Sequence, residues 1–136
     1  MPIKLVKIDE KKDLPRWSPS KRTIWFDSPA SFAHEVAHID LKGIEFPNYE
    51  EESAMHLYAA AKGQAYKPVF LAVSLEWAED AGLEPRVYAK GLLEKLRDLG
   101  YLSRAKVTRG TKVVDQVIKR YRKRFKGSED WPLEEV

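Results

Sequence analysis

Hydrophobic periodicity divides the chain into two extended segments followed by a series of helices. Residues 3–8, IKLVKI, alternate in polarity as a half-exposed strand does, and residues 23–26, TIWF, are β-branched and aromatic. The polar stretch between them contains Pro15 and Pro19, which predicts a loop. Because the strands come first and the helices follow, we expect an α+β fold that is mostly helical, with a short sheet packed on the first helix pair.

Proline and glycine residues mark the ends of the predicted helices. Asp27 or Ser28 supplies the N-cap of a first helix that begins at Pro29 and stops before Gly43. Three further helices have similar proline and glycine signals at their ends. The first of them begins after a proline, with Asn48 as its cap. Their predicted spans are about 48–62, 68–81 and 85–99.

The segment after Gly100 predicts a short extended piece at 102–108 and then a fifth helix. The preceding helix pair, with Ala78 four residues before Gly82, resembles the helix-turn-helix of winged-helix regulators. By that resemblance the extended piece would begin the wing. An ordinary αα-hairpin closed by glycines has the same pattern, so both interpretations stay open.

Length and composition limit the classes of protein that this chain can form. With 136 residues it makes one domain or two very small ones, and the absence of cysteine excludes disulfides, thiolate metal sites and cysteine nucleophiles. No apolar run reaches the roughly 20 residues of a membrane span, and the N-terminus lacks a signal-peptide core, so we expect no membrane partner and a cytoplasmic protein. One Asn and two Gln resemble the composition of thermophile proteins.

Positive charge is concentrated in the second half of the chain. Residues 1–65 carry 9 basic and 10 acidic side chains, whereas residues 66–136 carry 15 and 11. The stretch 119–126, KRYRKRFK, interleaves cations with aromatic rings, which favours contacts with nucleic-acid phosphates. A solvated helix face balanced by the acidic tail is the alternative. The candidate nucleic-acid contacts are Lys119, Arg120, Arg122, Lys123, Arg124 and Lys126.

The most specific chemical pattern is His34-Glu35-x-x-His38 in the first predicted helix. Residues i and i+4 lie about 6 Å apart along a helix and on one face, so both imidazoles can reach one metal ion. Glu35 lies about 100° around the helix, where it can hold a water as general base without binding the metal. A buried helix that carries two histidines is the structural alternative.

A third ligand is expected from the next helix, where Glu50, Glu51 and Glu52 are adjacent. A helical wheel places Glu51 on the apolar face, and a carboxylate there is costly unless it is paired or binds a metal. Glu52 and His56 project away from that face and are expected to form an exposed helical pair. The competing role for Glu51 is a capping-box start with Asn48.

These residues resemble the motifs of a known family. His-Glu-Val-Ala-His followed by Glu51-x-x-Ala54 resembles the minimal gluzincins and, more closely, the ImmA/IrrE-like regulator peptidases, over about residues 23–62. The resemblance implies a zinc ion held by His34, His38 and Glu51, with Glu35 as the base. Ala37 departs from the glycine that often precedes the second histidine in those regulators.

Three aromatic residues are candidates for substrate contacts. Trp25 and Phe26 lie where zincins keep the edge strand that pairs with an extended substrate, although simple packing of their rings in the core is the favoured interpretation. Tyr58 lies near the predicted ligand face and can donate to an oxyanion, with ordinary packing as its alternative.

Together these patterns predict a gluzincin-like metal-binding domain at 1–65, a helical basic segment at 66–127 and an acidic tail at 128–136. The expected function is a zinc-dependent metallopeptidase acting on a peptide or protein, such as a DNA-binding regulator. The alternatives are a nucleic-acid-binding protein whose histidine helix is structural or holds a non-catalytic metal, and a helical oligomerisation protein. The chain can also form a homodimer in this interpretation.

Overall fold

A computed structural model describes residues 2–9, 14–46 and 49–122 and, within them, a small sheet followed by five α-helices, which confirms the predicted α+β class. No helix in these ranges has the length and apolar content needed to cross a membrane. The strands are β1 (Lys4–Lys7), β2 (Arg16–Ser18) and β3 (Thr23–Phe26), and the helices are α1 (Pro29–Asp40), α2 (Glu51–Ala61), α3 (Pro68–Asp80), α4 (Pro85–Asp98) and α5 (Arg104–Arg120).

The sheet has the order β1-β3-β2, with β1 parallel and β2 antiparallel to β3. The predicted loop between the two expected strands therefore contains a third strand, β2. The sequence does not predict β2, because three residues are too few to show an alternating pattern. Since β3 has a neighbour on each side, Trp25 and Phe26 do not lie on an edge strand and that prediction is wrong. The Arg16 guanidinium lies 4.1 Å from the centre of the Trp25 ring.

The first helix begins where the sequence predicts, at Pro29 with Ser28 as its N-cap. The Ser31 amide donates to the Ser28 hydroxyl at 3.1 Å, and the Ser28 amide donates to the Ser31 hydroxyl at 3.0 Å. This reciprocal capping box satisfies amide groups that a helix start otherwise leaves without partners. It fixes the direction in which α1 leaves the sheet. Ala33 and Ala37 lie on the buried face of this helix.

The segment after Gly100 forms no wing. The predicted extended piece at 102–108 is wrong, because α5 already begins at Arg104. Ser103 is the N-cap, and its hydroxyl accepts from the Lys106 amide at 3.3 Å. Val107 and Val114 are buried seven residues apart, so one continuous helical face enters the core.

One hydrophobic core includes residues of both predicted segments, 1–65 and 66–127. It extends from Ala37 in α1 to Val117 in α5. Gly110 allows α5 to approach its neighbours closely, since a Cβ at this position would lie 2.9 Å from Leu93 and 3.1 Å from Ala61. The helix α2 is central, because it contacts α1, α3, α4 and α5.

Candidate metal centre

Three side chains from α1 and α2 converge on one point. The Nε2 atoms of His34 and His38 are 3.1 Å apart, and the Glu52 carboxylate lies 2.6 Å from His34 Nε2 and 3.1 Å from His38 Nε2. Zinc bound tetrahedrally at about 2.0–2.1 Å separates its ligand atoms by roughly 3.3 Å. A slight outward movement of these three groups would therefore admit an ion of that size.

Glu51 does not occupy the position that the helical wheel predicts. Its side chain is 70% exposed, and its nearest recorded approach to the histidines is 3.7 Å, from Oε1 to His38 Nδ1. The expectation that Glu51 points toward the core is wrong. Glu52, which is 50% exposed, supplies the carboxylate between the two imidazoles instead.

The wheel fails because α2 is buried on most of its circumference. From Ser53 to Ala61 every residue is buried except His56, so the apolar positions define no single inward direction. The strip formed by Glu52 and His56 lines a cavity beside α1, with Glu52 half exposed at its mouth. The predicted start of α2 also differs: the N-cap is Glu50, whose side chain makes no capping bond, while Asn48 lies outside the described residues.

His56 is part of the cluster, which corrects the prediction that it pairs with Glu52 on an exposed surface. Its ring stacks on His34 with centroids 4.4 Å apart and planes 29° apart. Burial, together with the nearby positive charge that His34 can carry, lowers the pKa of His56 to about 4, so this ring is neutral near neutral pH. The sequence signal was the i, i+4 spacing from Glu52, which places both on one face of α2.

The stacking contact helps to orient His34. Metal-binding histidines usually donate their second ring nitrogen to a carboxylate or carbonyl oxygen. His34 Nδ1 is buried and has no hydrogen-bond partner in the part of the chain that the structure describes. Glu52 at Nε2 and the His56 ring against its face therefore hold the imidazole.

Glu35 lies beside the histidines as a buried carboxylate. The residue is 7% exposed, and its Oε2 atom has no hydrogen-bond partner among residues 2–9, 14–46 and 49–122. Burial raises the pKa of this carboxyl, although the two histidines oppose the shift. A buried acceptor without a partner is costly, and a bound water or cation near it would reduce that cost.

The charge distribution around Glu52 suits a cation. Hydrogen bonds from His34 and then His38 hold the pKa of the Glu52 carboxyl well below its usual range, and the bond to Glu52 raises the pKa of His38. Without a cation the carboxylate thus accepts ring protons from both imidazoles and favours the charged form of His38. A metal ion would replace those protons, which is the usual coupling between metal binding and proton release.

The candidate ligand atoms line a cavity of about 320 Å³ between α1, α2 and the start of α3. Two groups of ligand atoms within 4.8 Å of one another could hold a metal ion, and they share His34. Glu35 and His38 complete one group, and Glu52 and His56 complete the other. The lining also includes Pro15, Ala30, Ser31, Ala59, Ala65, Tyr66, Lys67 and Phe70.

Tyr58 lies away from this cavity. Its buried hydroxyl donates to Asp40 at 3.2 Å, and Lys62 donates to that hydroxyl at 3.3 Å. Lys62 also pairs with Asp40 at 3.5 Å. These three residues join the ends of α1 and α2, so the geometry assigns Tyr58 to packing and provides no support for the predicted oxyanion role.

The predicted nucleic-acid contacts are only partly described. Lys119 and Arg120 are exposed at the end of α5. Arg122 is 3% exposed and so does not present its guanidinium on the surface, which corrects its prediction as a phosphate contact. Lys123, Arg124 and Lys126 lie outside the described residues.

Compared with models of protein families, with curated proteins and with solved structures, the chain matches none. The gluzincin resemblance consequently rests on the motif residues and on the way the fold brings them together. What the structure provides is a His-Glu-x-x-His group, with a further carboxylate and a third histidine, that could bind a metal ion.

Proposed function

We propose that the protein is a zinc-dependent metallopeptidase of the gluzincin type, with Glu52 in place of the expected Glu51 as third ligand. The observation that carries the proposal is the convergence of His34, His38 and Glu52 within 2.6–3.1 Å of one another beside a buried carboxylate. An all-protein site of two imidazoles and one carboxylate is the ligand set of catalytic zinc peptidases, which keep a further position open. The cavity in front of the site leaves that position accessible.

A zinc ion at His34, His38 and Glu52 would supply a Lewis acid that polarises a peptide carbonyl and lowers the pKa of water. Glu35 would then accept the proton of the attacking water. Its raised pKa suits this role, because a general base and acid works best with a pKa near the operating pH. Glu35 would afterwards return the proton to the leaving amine. A protein substrate such as a DNA-binding regulator belongs to the proposal on the strength of the family resemblance.

The direct test combines metal analysis with a peptidase assay on full-length protein purified without a histidine tag. We expect about one zinc per chain and hydrolysis of unfolded casein that a chelator abolishes and added zinc restores. Zinc-loaded protein that cleaves neither casein nor a mixed peptide library would contradict the proposal. Activity that survives complete metal removal would do so as well.

Nucleic-acid binding is a second candidate function, favoured by the charge of α5. This helix carries six basic side chains and only one acidic one, Asp115, whose carboxylate pairs with Arg86 at 2.7 Å. The basic residues are Arg104, Lys106, Arg109, Lys112, Lys119 and Arg120. Lys112 and Lys119 lie seven residues apart, so they share one exposed face that a phosphate backbone could contact.

Salt dependence tests the second function. If α5 contacts phosphates, duplex DNA should bind with a logarithmic salt slope that falls by about 0.9 for each contact removed. The variant Lys112→Gln/Lys119→Gln should lower that slope by nearly two, measured by fluorescence anisotropy between about 50 and 200 mM salt. An unchanged slope and affinity in this double variant would exclude the α5 face as the binding surface.

A further inference from the structure

An exposed apolar strip begins at the wall of the metal cavity and follows the outer face of α3. It consists of Phe70, Val73 and Trp77, which are 48%, 48% and 44% exposed. Their spacing of three and four residues places them on one helical face. Exposed apolar residues that adjoin one another are a candidate interaction surface, whereas single exposed apolar residues are ordinary.

The strip is continuous with the candidate metal centre. Phe70 lines the cavity, and its ring centre lies 6.0 Å from that of His56, which in turn stacks on His34. A chain that places a peptide bond at the metal-ligand atoms would therefore meet Phe70 as it leaves the cavity on this side. No other apolar residue of the cavity lining is as exposed as Phe70 among the large hydrophobic side chains described.

At its far end the strip reaches a second, smaller hollow. Trp77 lies 6.1 Å from Tyr88, centroid to centroid, and Tyr88 lines a depression of about 180 Å³. Leu83 and Val87, at 42% and 69% exposure, form part of the same depression. The strip thus ends beside this second hollow, since Trp77 contacts the ring of Tyr88, which is itself buried.

We propose that this strip binds the substrate polypeptide next to the scissile bond and selects bulky apolar side chains there. The inference rests on the proposed peptidase function and names its substrate class: an unfolded or extended protein segment rich in apolar residues. Seven helical residues separate Phe70 from Trp77, or about 10 Å along the axis. An extended peptide covers that length in about three residues, so the strip contacts about three successive positions on one side of the cleaved bond.

The cleavage test compares single-site variants of the full-length, zinc-loaded protein on unfolded casein. Mass spectrometry of the products should show Leu, Ile, Val, Phe and Met enriched within about three residues on one side of the cuts made by the parent. The enrichment should be lost in Trp77→Ala and in Val73→Ser. Leu99→Ser removes an apolar residue of equal exposure, 48%, at the end of α4 and should keep the parent pattern.

A binding test separates this inference from the peptidase proposal. Fluorescein-labelled casein is titrated with Glu35→Gln protein. When Val73→Ser or Trp77→Ala is combined with Glu35→Gln in one chain, the apparent Kd should rise at least about fivefold, whereas combining Leu99→Ser with it should not change the Kd. If the parent cleaves no casein but this difference is found, the peptidase proposal fails and the docking surface stands. Equal affinity and equal cleavage patterns in folded Val73 and Trp77 variants would overturn the inference. So would a loss of self-association in these variants with unchanged casein binding, since the strip would then bind a second copy of the chain.

Discussion

Glu52→Ala is expected to lose stoichiometric zinc, whereas Glu51→Ala is expected to keep it. The Glu52 carboxylate lies 2.6 and 3.1 Å from the two Nε2 atoms, so it is the group that an ion between them would contact. Glu51 approaches His38 only at Nδ1 and at 3.7 Å, which is too long for a good hydrogen bond. Loss of a direct ligand should weaken zinc binding by more than the 10–100-fold typical of outer-shell changes, and loss of Glu51 by about tenfold at most.

The two variants form a matched pair, because they remove the same group from adjacent residues at the start of one helix. Competition with a chromophoric chelator gives the zinc affinity of each, and thermal unfolding of the metal-free proteins checks that both fold. Zinc retained by Glu52→Ala and lost by Glu51→Ala would reassign the third ligand to the residue that the wheel predicts. Equal retention by both would mean that Glu35 or His56 completes the site.

Helix positions in this protein are largely set by local chemistry, which is why the sequence predicts them well. Pro68 and Pro85 begin α3 and α4 as expected, and Gly82 and Gly100 follow their ends with φ of 86° and 88°. A positive φ is inexpensive only for residues without a Cβ. Such signals act over a few residues, so no knowledge of the tertiary fold is needed to read them.

The errors arise where tertiary contacts decide. β2 exists because Arg16–Ser18 pairs with β3, and three residues carry too little pattern to predict a strand. The beginning of α5 was predicted to be extended, yet Gly110 and Val107 pack it against the core as helix. Tyr58 is adjacent to site residues in sequence, but Asp40 and Lys62 hold its hydroxyl elsewhere.

The candidate metal site illustrates the same division. The pairing of His34 with His38 follows from the helix repeat and needs no other element. Glu51 and Glu52 differ by one helical step of 100° in the direction of their side chains. Only the packing of α2 against four neighbours determines which carboxylate faces α1. His56 was likewise assigned to solvent because a polar residue opposite an apolar face is normally exposed. On a central helix the polar strip faces a cavity instead.

Glu35→Gln is expected to retain zinc and to lose hydrolysis. Glutamine has nearly the same shape but cannot accept a proton, so the ligands His34, His38 and Glu52 remain while the base is removed. General-base catalysis contributes about 10²–10⁴-fold, and we expect kcat on casein-derived peptides to fall by that factor. Removing a buried charge also relieves the burial penalty that raises the Glu35 pKa, so the metal-free variant should be at least as stable as the parent.

The same substitution at the exposed neighbour of the site, Glu51→Gln, is the matched control and should change kcat by less than about threefold, because its carboxylate is 70% exposed and makes no close contact with the ligand nitrogens. Steady-state kinetics with zinc content measured on the same samples separates lost chemistry from lost metal. Turnover within tenfold of the parent in fully zinc-loaded Glu35→Gln would remove Glu35 from the mechanism. Since Oε2 of this carboxylate is buried without a described partner, its burial would then require another explanation, and a metal that only stabilises the fold would become the better account of the site.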